Sequence, residues 1–128
     1  MKPELMYLGW SVLLAIVHML ITVTALFLHS GLMATVGNRA NLPELPGWGG
    51  RATRANVNMA QNLVLFVAVV LAVVVTGTTN EMTVKGAQLF FYARVAYAVF
   101  YIAGLPWLRT GSWLVSIAGI LLILAQLK

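Results

Sequence analysis

The sequence predicts an all-α integral membrane protein, a single domain built as a bundle of four transmembrane helices. Composition comes first: 61% of the 128 residues are hydrophobic and only 9% are charged, against roughly 25% charged in an ordinary soluble domain. Length comes second. A helix needs about 20 apolar residues to cross a hydrocarbon core about 30 Å thick, and the chain supplies such a stretch four times. Third, the apolar runs are unbroken, without the alternation of barrel strands, and no internal repeat or low-complexity stretch divides the chain.

Helix one is expected over residues 5–28, with Tyr7 and Trp10 near one end, where amphipathic rings favour the lipid–water boundary. The run is longer than a signal-peptide core and lacks a small-x-small cleavage site, so it is expected to remain in the protein. His29 and Ser30 close it. Residues 29–50 then read as one substantial loop, because Gly37-Asn38-Arg39, Asn41-Leu42-Pro43 and Leu45-Pro46-Gly47-Trp48-Gly49-Gly50 are turn-forming. Helix two is expected over 51–76, with polar first turns and a wholly apolar remainder, and Thr76-Gly77-Thr78-Thr79-Asn80 ends it. Helices three and four are expected over 83–105 and 107–127, parted by Pro106, which lacks an N–H and clashes with the preceding turn. So tight a link makes those two helices antiparallel neighbours.

The net charge of +5 could suggest nucleic acid, but Lys2, Arg39, Arg51, Arg54, Lys85, Arg94, Arg109 and Lys128 are spread along the chain rather than clustered. No nucleic-acid site is expected. Four helices put both termini on one side with Lys2, Lys85 and Lys128, and put Arg39, Arg51, Arg54 and Arg109 on the other. By the positive-inside bias, four against three points the long loop to the cytoplasm. With no cysteine, the chain forms no disulfide, offers no thiolate metal ligand and has no thiol nucleophile of its own. His18 lacks a second His, Asp or Glu at metal spacing and reads as a packing residue, so no metal is expected.

Two helices carry polar side chains where hydrocarbon should exclude them. At 100° per residue, Arg51, Arg54, Asn58, Gln61 and Asn62 fall within an arc of about 100° on helix two. Amides without partners in lipid cost several kcal/mol each, so such a stripe faces another helix or a water-filled space. Interhelical hydrogen bonding would suit the amides; a ligand would suit the arginines as well. On helix three, Arg94, Tyr97 and Tyr101 share a face at i, i+3, i+7, with Arg94 well inside the span. A guanidinium there costs at least about 2.5 kcal/mol on insertion scales and marks function by default, although it could snorkel or cap carbonyls. The acids Glu4, Glu44 and Glu81 are expected in the tail or loops, away from these cations. The missing counter-charge is then expected to arrive as an anionic ligand, whose carboxylates match the arginine fork.

Arg54-Ala55-Asn56-Val57-Asn58-Met59-Ala60-Gln61-Asn62-Leu63-Val64-Leu65-Phe66 resembles the Arg-Ala-His-x-Asn-x-x-Glu-Asn-x-x-x-Phe signature of the MAPEG family, the membrane proteins of eicosanoid and glutathione metabolism. Ala93-Arg94-Val95-Ala96-Tyr97-Ala98-Val99-Phe100-Tyr101 is similar to that family's third helix, and Arg109-Thr110 to the Arg-Ser pair opening its fourth. The resemblance, microsomal glutathione transferase-like, covers nearly the whole chain. It implies a homotrimer in the lipid bilayer with glutathione, as co-substrate, between subunits on the cytoplasmic side.

Carried over by position, the resemblance makes Arg51, Arg54, Asn58, Gln61, Arg94, Tyr97 and Tyr101 the glutathione-binding set, and Arg109 and Thr110 the pair that activates its thiol as thiolate. A lipophilic electrophile would enter laterally from the lipid, making the protein a transferase or peroxidase. Asn56 stands where the signature has His, Gln61 where it has Glu, and Thr110 where several relatives have Ser. Gln61 brings no carboxylate, so the alternative is a non-catalytic relative that binds another anionic or lipid ligand. A small proton-coupled drug transporter would share the four helices, but it needs an intramembrane carboxylate that is not expected here.

Overall fold

The computed structural model describes residues 1–37 and 44–127. Four helices make up the fold: α1 (Pro3–Val36), α2 (Gly47–Thr76), α3 (Glu81–Ala103) and α4 (Pro106–Leu124), each long and apolar enough to cross a membrane. Among the described residues there is no strand. Arg39 and Lys128 of the charge tally, and the turn at Asn41-Leu42-Pro43, lie outside the described residues.

Helix boundaries follow local chemistry, with two differences from expectation. α1 does not end at His29 and Ser30; it breaks at Gly31 (φ 87°, ψ 178°) and resumes to Val36. That backbone region is open almost only to glycine, so the break falls where the sequence can take it. α2 begins at Gly47 rather than at residue 51. Pro46 caps it in an extended conformation, and Gly49 and Gly50 are buried in its first turn, where a Cβ on Gly50 would collide with the Leu45 carbonyl oxygen. Segments that look like turns are helical here because only small residues let the chain fold back so closely.

The other boundaries fall close to where they are expected. α2 and α3 end in left-handed glycines, Gly77 and Gly104, each followed by a 6→1 hydrogen bond, Thr78 N–H to Val73 and Leu105 N–H to Phe100. Asn80 and Thr83 form a capping box at the start of α3. Glu81 adds a negative charge to that first turn, which the helix dipole favours.

α2 and α3 occupy the centre, flanked by α1 on one side and α4 on the other; among the described residues α1 and α4 share no contact. The core consists of Tyr7, Met59, Phe66, Val70, Val73, Ala87, Phe90, Ile120 and Ile123, with the Phe66 and Phe90 rings stacked at 4.0 Å. Tyr7, 9% exposed, packs into the core, while Trp10 is 42% exposed. Outward faces are apolar: Leu13, Leu20, Val64, Val99 and Leu121 are all exposed, as side chains solvated by lipid should be. Several hydroxyls in the spans are satisfied within their own helix, as when Ser11 donates to the Tyr7 carbonyl (2.8 Å) and Thr22 to that of His18 (2.9 Å).

α3 and α4 pack through two glycines. A Cβ on Gly119 would stand 2.6 Å from the Gly86 carbonyl oxygen, and one on Gly86 would stand 2.6 Å from the Gly119 oxygen. Lipid offers no hydrophobic drive between helices, so this close backbone approach supplies the dispersion contact that holds the pair.

Glu4 corrects an expectation. It lies in the first turn of α1, is 2% exposed, and accepts a 2.5 Å hydrogen bond from the Thr83 hydroxyl of α3. Thr83→Val is expected to orphan that carboxyl and weaken the α3 cap, destabilising the protein by about 2 kcal/mol. Thermal unfolding in detergent measures this, and an unchanged midpoint would mean the contact contributes nothing.

Candidate functional site

The arginines of α2 and α4 meet the tyrosines of α3 at the end of the bundle away from the termini. Tyr101, in the last turn of α3, is the hub. Arg54 of α2 donates from Nε to its phenol oxygen at 3.3 Å, and the Arg109 guanidinium of α4 lies over its ring, 4.6 Å from the centroid. Below it, the Tyr97 ring follows at 5.4 Å, and the Arg94 guanidinium stacks on Tyr97 at 4.1 Å. Three helices thus contribute to one ladder of alternating cations and phenols, in which each arginine is held by a ring quadrupole or a phenol oxygen rather than by an acid. Such a ladder keeps guanidiniums in place while leaving N–H groups for an incoming anion.

The remaining expected site residues divide. Arg51 Nε donates to the Ile102 carbonyl at 2.9 Å, capping one of the last carbonyls of α3, so carbonyl capping falls to Arg51 and not to Arg94. Asn62 donates to the backbone oxygen and the Oδ1 of Asn58 (2.8 and 3.1 Å), pairing the two amides as interhelical glue would not. Gln61 is exposed on the same face as Arg54, about two turns further along α2. Thr110 is exposed next to Arg109, but its hydroxyl donates to the Pro106 carbonyl at 3.0 Å and would have to rotate to serve a ligand. Asn56 points elsewhere: it lines a cavity of about 580 Å³ between α1 and α2 with Ala15, Met19, Ala60, Leu63, Val64 and Val67. Its departure from the signature therefore does not touch the ladder.

Arg94 sits deeper than the rest. It is 0% exposed, and none of its three side-chain nitrogens has a hydrogen-bond partner. His18 of α1, read from sequence as a packing residue, is 2% exposed with an unpartnered Nε2, and lies within electrostatic reach of Arg94. A signal for it existed: Glu4, Ser11 and His18 recur every seven residues and form the buried polar face of α1. Among the described residues no group of His, Cys, Asp and Glu could hold a metal ion.

Four spanning helices with arginines clustered on tyrosines at one end define a multi-pass membrane protein. The chain matches the model of the MAPEG family over residues 5–127, and it belongs to that family, membrane-associated proteins of eicosanoid and glutathione metabolism. No curated protein and no solved structure matches it.

Proposed function

We propose that the protein is a glutathione-dependent transferase or peroxidase acting on lipophilic electrophiles. The observation that carries this reading is the Arg54–Tyr101–Arg109 contact, two guanidiniums held on one phenol without a carboxylate. Glutathione brings two carboxylates for Arg54 and its neighbours, and Asn58, Gln61 and Tyr97 supply further polar contacts. Arg109 would hold the sulfur as thiolate, helped by Thr110 once its hydroxyl turns from Pro106. In transfer, the thiolate attacks an electrophilic carbon, the C–S bond forms and the leaving group departs with its electron pair. The electrophile enters sideways from the lipid.

Arg54 and Gln61 are exposed in the single chain on a helix long and apolar enough to cross a membrane, whose hydrocarbon cannot solvate polar groups. A neighbouring copy would cover it, which supports a homotrimer with glutathione between subunits. The charge bias puts this end in the cytoplasm.

Titrating glutathione into the protein in nanodiscs, following thiolate absorbance and heat together, tests the reading. Saturable heat with a growing thiolate band is expected; silence in both channels overturns it. One observation favours a second reading, a non-catalytic relative that binds another anionic or lipid ligand: Gln61 puts a neutral amide where the signature has a carboxylate. That reading predicts binding without turnover, and steady conjugation of a chlorinated nitroaromatic would remove it.

A further inference from the structure

We infer that the channel between α1 and α2 binds a neutral single-chain lipid, its alkyl chain laid along the channel and a hydroxyl or amide of its head on Asn56. The walls dictate the chain. Ala15 and Met19 of α1 face Ala60, Leu63 and Val67 of α2, and Asn56 is the one polar residue among those that line the space. From Asn56 to Val67 the channel follows α2 for about 16 Å at 1.5 Å per residue. Spread over that length, a volume of about 580 Å³ leaves a width of about 7 Å, less than the 10 Å or so of a helix with its side chains. A neighbouring helix is therefore too wide to lie in it, whereas one extended alkyl chain fits.

Polarity dictates the head. The Asn56 side chain stands at the end of the channel nearer the start of α2, makes no hydrogen bond among the described residues, and offers a donor and an acceptor together. Hydrocarbon satisfies neither. No charged side chain lines the channel, so a carboxylate or phosphate would enter without a counter-charge, while a hydroxyl or amide can both give and take a hydrogen bond at the Asn56 carboxamide. At 100° per residue, Asn56 stands about 160° around α2 from Arg54. The channel thus opens on the side of α2 away from the arginine–tyrosine ladder and forms a second site, whose ligand is uncharged where the ladder favours an anion.

The test uses the intact protein in nanodiscs and a monoacylglycerol carrying a diazirine in its tail, with the labelled residues mapped by mass spectrometry. Saturable labelling within residues 15–19 and 60–67 is expected. Plain monoacylglycerol should displace it, and the ionised fatty acid of equal length should compete at least about tenfold less well. Ala60→Phe, which fills the channel from an exposed position, should abolish the saturable labelling. Asn56→Leu should weaken it about fivefold, the loss of one neutral hydrogen bond. Labelling that never saturates, or that spreads evenly over the apolar faces of all four helices, would mean ordinary bilayer lipid and overturns the inference. So does equal competition by the fatty acid, and so does an absence of labelling in the channel, the result if side chains of a neighbouring copy fill it. Should Ala60→Phe not fold, Asn56→Leu and the competition decide alone. Every readout is taken without glutathione, so the outcome is independent of whether the protein binds it.

Discussion

Arg109→Ala is expected to lower the rate of glutathione conjugation about 100-fold while leaving glutathione affinity within a few-fold of wild type. The magnitude is that of removing one preorganised donor from a developing or fixed anion in a water-poor site. Arg109 is the cation at the start of α4, stacked over the Tyr101 ring and without a carboxylate contact among the described residues, so its charge is available to a sulfur anion. Arg54 holds the phenol edge of the same tyrosine and would continue to bind the ligand's carboxylates. Stopped-flow thiolate absorbance beside calorimetry separates the two roles. A parallel loss of binding and rate would make Arg109 a holding residue. Arg109→Lys should recover part of the rate, since it restores the charge without the planar fork or the stacking.

Gly119→Ala is expected to destabilise the folded protein by about 3 kcal/mol, the upper range for overpacking, because its added methyl meets the backbone of α3 at two points. The new Cβ would stand 2.6 Å from the Gly86 carbonyl oxygen and 2.9 Å from the Phe90 nitrogen, and neither can swing aside as a side chain would. Gly111→Ala on the same helix is the control. Nothing lies within 4 Å of its Cβ position, so it should leave the unfolding midpoint unchanged or raise it slightly. Equal midpoints for the two variants would show that the α3–α4 approach is looser than a 2.6 Å separation implies.

Much of the fold was legible because membrane solvent imposes a simple rule on composition. Unbroken apolar runs, Pro106 and the polar cluster before Thr83 place four helices without any tertiary information. The face shared by Arg94, Tyr97 and Tyr101 follows from helical spacing, and the stacked rings and guanidiniums follow from that face. What escaped depends on contacts between distant segments. The helical start at Gly47 rests on the close fit of Gly49 and Gly50 against Leu45 and Ala25, which composition alone reads as a turn. Arg51 looks like a ligand residue until the end of α3 is brought beside it. His18 stands out only when α2 and α3 lie against α1 and its Nε2 is buried without a hydrogen-bond partner.

The Glu4–Thr83 contact also fixes an order of events at the ribosome. Its partners are 79 residues apart in the chain, so at about 5–20 residues per second Glu4 emerges about 4–16 seconds before the hydroxyl that will receive it. At the tip of α1, water can serve its carboxyl during that interval. His18, about 21 Å further along the helix, lies in the apolar stretch of α1 and is buried, at 2% exposed, where α2 and α3 pack against that helix.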